Sequence, residues 1–324
     1  MENEPDGSSY FKKNILALLT VAISLVILLM LYKHTNVDLE VTLGGTDAST
    51  GEITTTRKNL NEFPFANAQY LGDGLYFLGE GVTSNGEKYT DYAQVDYPND
   101  ILGSATKDPT EICGSGTGRV CPTQEDEQLG KCAVCAFEGC PTVMDALTIN
   151  AHIKRDSGML WPNYILALMS SKYAWEKEIT RVILDTLYWK EDYDYCPRIA
   201  IGDGRNELGF CDLDGGTWTA PLGLTYVRYI GAKLVERDIK INTVDYDMPP
   251  LETHCAFEGA PRPGPGQFDL CSVIIHEFGH SVGLGHPNYD SCKEESMWAG
   301  LAPEDIRKRT LEAGDKLGIK MLYP

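Results

Sequence analysis

The string His276-Glu277-Phe278-Gly279-His280-Ser281-Val282-Gly283-Leu284-Gly285-His286 constrains the fold of this chain more than any other stretch of it. His276 and His280 are four residues apart, so a helix places both imidazoles on one face about a turn from each other. Glu277 then points in a neighbouring direction. Gly283 is placed to end the helix, because glycine tolerates the left-handed conformation of a sharp turn. The chain can then swing back and bring His286 toward the first two histidines. The H-E-x-x-H core alone recurs by chance in unrelated helices. Adding glycine and histidine at the two later offsets has a chance of about 0.002 from their frequencies, which makes the extended string far more specific.

Three neutral imidazoles and a water make a tetrahedral zinc site with one exchangeable position, the arrangement that catalysis needs. Zinc lowers the pKa of its water and polarises a bound carbonyl. Glu277 could take the proton of that water during attack and pass it to the leaving amine. No serine or cysteine nucleophile is required, so the implied chemistry is hydrolysis of a peptide or other amide.

Location follows from two other features. Residues Asn14 to Tyr32 hold no charged side chain, and a helix of that length approaches the hydrocarbon thickness of a bilayer, about 30 Å. The run is longer than the apolar part of a cleaved signal peptide and lacks small residues at its end. It reads as a retained signal anchor over 14–32, with residues 1–13 as a cytoplasmic tail because Lys12 and Lys13 precede it. All ten cysteines lie beyond residue 112, which fits a catalytic part outside the cytoplasm, at a cell surface or in a lumen. The net charge of −19 argues against a nucleic-acid partner, since phosphate binding needs a basic face.

Residues 33–144 read as a stalk followed by a cysteine-rich region, with a removable propeptide as one possibility. The stretch 33–65 is rich in Thr, Gly, Asn and Asp. Residues 113–140 carry Cys113, Cys121, Cys132, Cys135 and Cys140, and five more cysteines follow at 196, 211, 255, 271 and 292. If all of them pair, two odd sets force at least one bridge between the halves; a free thiol in each set is the alternative. Cys132-x-x-Cys135 could be half a zinc knuckle, but no second such pair exists, so disulfides are expected. From about 145 to 324 the pattern is that of an α+β domain. Trp175, Ile179, Val182, Ile183 and Leu187 recur at helical spacing and predict a helix ending near Lys190. PRIAIGD, LTYVRYI and ERDIKIN predict strands, with Ile239 and Ile241 on one face. Helices are predicted over SVIIHEFGHSVG and around PEDIRKRTLEAGDKLGI.

The histidine string, followed by Met297 in ESMWAG, resembles the signature of the metzincin metallopeptidases. HEFGHSVGLGHP and the ending DKLGIKMLYP are most similar to the matrixin-type branch, and DGGTWTAP (214–221) looks like the segment leading into its substrate-binding edge strand. The resemblance implies a twisted mixed sheet with an active-site helix and a C-terminal helix. It also implies one catalytic zinc held by His276, His280 and His286, Glu277 as the catalytic base, Met297 packed beneath the metal without binding it, and a polypeptide substrate. Three departures stand out. Thr219 or a neighbour replaces a histidine of the family's structural zinc site, Trp298 follows the methionine where some metzincins have tyrosine, and nothing matches the cysteine-bearing latency peptide. A free thiol within 113–140 could take that latency role. Asp203, Asp212 and Asp214 could bind calcium, or serve as ordinary turn residues. Two rival readings are a non-catalytic surface or adhesion module on the same scaffold, and an amidase acting on a non-protein amide. The sequence leaves the oligomeric state open.

Overall fold

The computed structural model describes residues 58–59, 68–72, 74–97, 110–111, 130–135, 147–153, 161–180, 184–191, 200–211, 213, 221–231, 233–249, 255, 260–287 and 289–324. The apolar run at 14–32 lies outside them. Among the described residues no helix is long and apolar enough to cross a membrane.

Among the described residues there are twelve strands and three α-helices. The strands are β1 (Lys58–Asn59), β2 (Gln69–Gly72), β3 (Leu75–Val82), β4 (Lys88–Asp96), β5 (Thr110–Glu111), β6 (Val134–Cys135), β7 (Leu147–Ile153), β8 (Leu184–Glu191), β9 (Ala200–Ile201), β10 (Glu207–Cys211), β11 (Gly223–Ile230) and β12 (Lys233–Asn242). The helices are α1 (Trp161–Glu176), α2 (Leu270–Ser281) and α3 (Ala313–Leu322). One sheet of eight strands runs in the order β2-β3-β4-β11-β12-β10-β7-β8. Strands β8, β7, β10 and β12 are parallel neighbours. From β11 outward through β4, β3 and β2 every pairing is antiparallel.

The three strands predicted around 198–242 are present, and β12 buries both Ile239 and Ile241. The helix predicted to end near Lys190 is not. Helix α1 ends at Glu176, and Leu184–Glu191 forms β8. Within β8, Thr186, Tyr188 and Trp189 are β-branched or aromatic and prefer a pleated surface, which together with pairing to β7 overrides an accidental helical spacing. The true helix buries Tyr164, Ala167, Leu168, Ser171, Ala174 and Trp175, a stripe at three- and four-residue intervals. The last predicted helix begins late. Residues 307–309 form a single 3-10 turn, and α3 starts only where Glu312 and Asp315 cap each other's backbone.

Helix α2 is buried along its entire length. It packs against α1, whose Trp175 donates its indole N–H to the Ile275 carbonyl at 2.8 Å. Below it lies the main core, which includes Ile239, Ile241, Val227 and Phe278. A smaller core of Leu78, Ala93, Val95, Leu213, Leu224 and Tyr226 forms separately, with contributions from β3, β4 and β11.

Cys132–Cys292 joins the two cysteine sets, as their odd counts require if all pair, and Cys255–Cys271 ties the chain before α2 to its first turn. Cys135 is also disulfide-bonded, so neither member of the C-x-x-C pair is a metal thiolate. No cysteine among the described residues is free, so neither Cys132 nor Cys135 supplies the latency thiol expected within 113–140, and Cys113, Cys121 and Cys140 lie outside the described residues.

Candidate metal and catalytic site

Helix α2 starts at Asp269, whose carboxylate accepts the Ser272 backbone N–H at 2.9 Å. Three turns later it ends where the string predicts, at Gly283 with φ of 98°, a value that glycine adopts without strain. The Leu284 N–H closes back onto the Gly279 carbonyl at 3.0 Å, and the Gly285 N–H donates to Val134 of β6 at 3.0 Å. The returning chain carries His286 to the other two histidines.

The result is a tight triangle. His276 Nε2 lies 2.9 Å from His286 Nε2 and 3.0 Å from His280 Nε2, and the third edge is also 3.0 Å. The outward nitrogens are committed. His276 Nδ1 donates to the Ser296 carbonyl at 2.5 Å, and His280 Nδ1 to the Leu284 carbonyl at 2.8 Å. His286 Nδ1 lies 3.3 Å from the side-chain amide of Gln94, which can turn its oxygen to accept. All three Nε2 lone pairs therefore face one point, with the orienting partners that metal-ligating histidines use. Burial drives His276 and His280 toward the neutral form, and the Lys308 ammonium beside His276 adds to the effect there.

A fourth group stands at the same point. Asp96, the last residue of β4, sets its carboxylate 2.8 Å from His286 Nε2, 3.2 Å from His276 Nε2 and 3.3 Å from His280 Nε2. It is 4% exposed, and neither oxygen receives a hydrogen-bond donor. Burial alone would raise its pKa, but the facing imidazoles of His276, His286 and His280 hold it below the ordinary carboxylate range. Four acceptor atoms converging without a donor repel one another unless a cation sits among them. The donor set suits zinc. At Zn–N distances of about 2.0–2.1 Å the edges between ligands are roughly 3.3–3.4 Å, so small ring rotations would open the triangle enough. These four residues could hold the metal, all of them buried.

Glu277 stands beside this cluster with no solvent exposure. The Thr225 hydroxyl of β11 donates a short hydrogen bond to Oε2, while Oε1 has no donor. Burial first, and then the nearby Asp96, push its carboxyl well above the usual value. Gly223 makes room for it, since a Cβ there would come within 1.8 Å of Oε1. Met297 packs under the helix between the two histidine turns. Its sulfur lies 2.1 Å from where a Cβ on Gly279 would be, and its backbone N–H donates to Asp315 of α3 at 3.2 Å. Met297 is 2% exposed.

The structure thus brings His276, His280, His286, Glu277, Gly283 and Met297 to one place. Of the three calcium candidates only Asp203 is among the described residues. Asp203 accepts the Arg205 N–H at 2.9 Å as a turn residue, and Asp212 and Asp214 lie outside the described residues, as does Thr219. Asp96 and Gln94 were missed, because nothing in local spacing ties them to histidines 180 residues downstream. Their strand was legible: Asn85-Gly86 sits between two β-rich runs, and β3 and β4 are the hairpin such a turn announces.

Residues 170–324 match the model of a family described as Matrixin, which binds zinc. One curated relative, Metalloendoproteinase 4-MMP of Arabidopsis thaliana, is 42% identical over 55 residues, covering 17% of this chain and 15% of that protein. The chain thus spans only a small part of that relative's length. Over residues 170–324, slightly less than half of its length, this chain is similar to the matrixins, and that shared region contains α2, the loop bearing His286 and the Met297 turn.

Proposed function

We propose that this protein is a zinc-dependent endopeptidase, anchored in a membrane through residues 14–32 with its catalytic region outside the cytoplasm. The observation that carries the reading is the triangle of Nε2 atoms, each ring oriented by a partner on its far side, with an undonated Glu277 oxygen alongside. A zinc ion held there would supply a Lewis acid for the scissile carbonyl and an acidified water. His276, His280 and His286 would hold the metal. Glu277 would accept a proton from the attacking water at Oε1 and return it to the departing amine, so that water is divided between the new carboxylate and the new amine. Thr225 fixes the carboxylate in place by holding Oε2. Met297 and Trp175, packed against Gly279, keep the helix from shifting under the histidines. An extended polypeptide would bind along β11 in the place that β4 occupies in this structure, adding a strand to the edge that β4 would leave. The uncharged run from Asn14 to Tyr32 and the disulfides Cys132–Cys292 and Cys255–Cys271 support the location.

The test measures zinc per chain in the purified protein and in His286→Ala. It also measures hydrolysis of a mixed peptide library, before and after limited trypsin treatment, by wild type and Glu277→Ala. One zinc per chain, lost in His286→Ala, is expected, with hydrolysis reduced by about 10²–10⁴-fold in Glu277→Ala. Zinc bound at unchanged affinity by His286→Ala, or no hydrolysis by any preparation, would sink the proposal.

A further inference from the structure

We infer that residues 68–97 hold the protein in a latent state, with β4 lying along β11 where a polypeptide substrate would lie and Asp96 filling the metal position that hydrolysis needs open. The inference rests on the peptidase reading above.

Strand β11 has two edges. One is paired with β12 throughout. The other is paired over all eight residues with β4, antiparallel, from Gly223 opposite Asp96 to Ile230 opposite Tyr89. While β4 stays, no extended chain can add to β11. The register matters as much as the pairing. Gly223, the residue opposite Asp96, is the one whose missing side chain leaves space for the Glu277 carboxylate. The Leu222 N–H donates to the Asp96 carbonyl at 2.6 Å, so the backbone of β4 is fixed beside the general-base candidate.

Alternation along β4 then delivers the side chains. Asp96 and Gln94 share a face, and both reach the histidines, one at the inner nitrogens and one at the outer nitrogen of His286. Val95 and Ala93, on the opposite face, join the smaller core. The far end is locked by Asp91, which takes two hydrogen bonds from Arg228 at 2.7 and 2.9 Å and one from Tyr226 at 2.9 Å. The histidines, Asp96 and Glu277 are each no more than 4% exposed. A pocket sealed this way admits no peptide. The carboxylate that seals it takes no backbone, hydroxyl or guanidinium hydrogen, and its oxygens lie 2.8–3.3 Å from the three imidazole nitrogens, the placement that a shared metal would favour.

The experiment uses full-length protein loaded with cobalt(II), whose visible spectrum reports the ligand set, and two probes: acetohydroxamate and a peptide hydroxamate. In wild type the spectrum should barely respond to acetohydroxamate. In Asp96→Asn, which keeps the strand and its backbone pairing, the unliganded spectrum should differ and the probe should bind at least about tenfold more tightly. Hydrogen exchange on wild type gives a second, variant-free measurement. Saturating peptide hydroxamate should expose the β4 amides at 89–96 while those at 235–241 in β12 stay protected. Cobalt bound with equal probe affinity in both proteins, or probe bound without loss of β4 protection, would overturn the inference and leave the peptidase reading standing. Failure to bind cobalt at all would overturn both.

Discussion

Asp96 and Asp269 are both buried, at 4% and 1% exposure, and the fold treats them in opposite ways. Asp269 caps α2. It accepts from the Ser272 backbone and hydroxyl at 2.9 and 2.7 Å, and Arg309 grips it from two sides at 3.0 and 2.7 Å. Two more guanidinium hydrogens go to the carbonyls of Ala260 and Pro261. Every charge there is answered by the protein itself. Asp96, at the opposite end of the same helix, faces three imidazole nitrogens, and no backbone or guanidinium donor holds either oxygen. A buried carboxylate that is satisfied contributes to stability, whereas one left without donors is a cost that stability alone does not explain.

Removing one partner from each aspartate tests this contrast. Arg309→Ala should lower unfolding stability by about 3–5 kcal/mol in a urea titration, because it strands the Asp269 charge. Asp96→Asn, measured without metal, should leave stability unchanged or raise it. Equal losses in the two would erase the distinction. Metal binding should then reverse the ranking. With zinc at 1,000 times its Kd, wild type should gain about 4 kcal/mol, and Asp96→Asn, short of one ligand, should gain less at the same zinc concentration. Identical gains, read from paired denaturation curves with and without chelator, would show that Asp96 is no ligand. Gly279→Ala comes next, at about 1–3 kcal/mol, since the added methyl collides with the Met297 sulfur and Trp175. It should lower stability at both ends of the helix alike.

The smallest effect concerns a buried carboxylate between the two extremes. Glu236 accepts from the Gly202 and Asp203 N–H groups at 2.6 and 3.1 Å, but its nearest cation, Arg228, is 3.9 Å away. Burial pushes its carboxyl up to about 7, against the pull of those hydrogen bonds. The folded state thus holds this proton more tightly than the unfolded chain. Its contribution is complete below the unfolded value of about 4.3 and is lost as pH rises through about 7. Tm should fall between about pH 5 and pH 7, and Glu236→Gln, which keeps the acceptor oxygen, should flatten that slope. An unchanged slope would remove Glu236 from its intermediate place.

The histidine string carried most of what could be read in advance. Helix, turn and return are each local, and His276, Gly283 and His286 fix them within eleven residues. The same locality explains the failures. Trp175 to Leu187 had helical spacing by accident, and the parallel partner β7 adds to local β preference in making Leu184–Glu191 extended. The capping pair Glu312–Asp315, written in the sequence, marks where α3 starts better than the apolar spacing did. Asp96 was out of reach because its role depends on pairing between β4 and β11, and such register is set by the folded sheet.

The bridge between Cys132 and Cys292 closes a loop of 160 residues, and the short segment it anchors also holds the turn before His286, through Val134 and Gly285 and the Cys135–Leu284 bridge. The turn that carries His286 back is local, but the strand it rests on belongs to chain synthesised long before it, and the disulfide ties that strand to the segment just beyond the site. Reduction should therefore loosen the support under one ligand while leaving the helix and its two histidines in place, which zinc affinity measured before and after reduction would read.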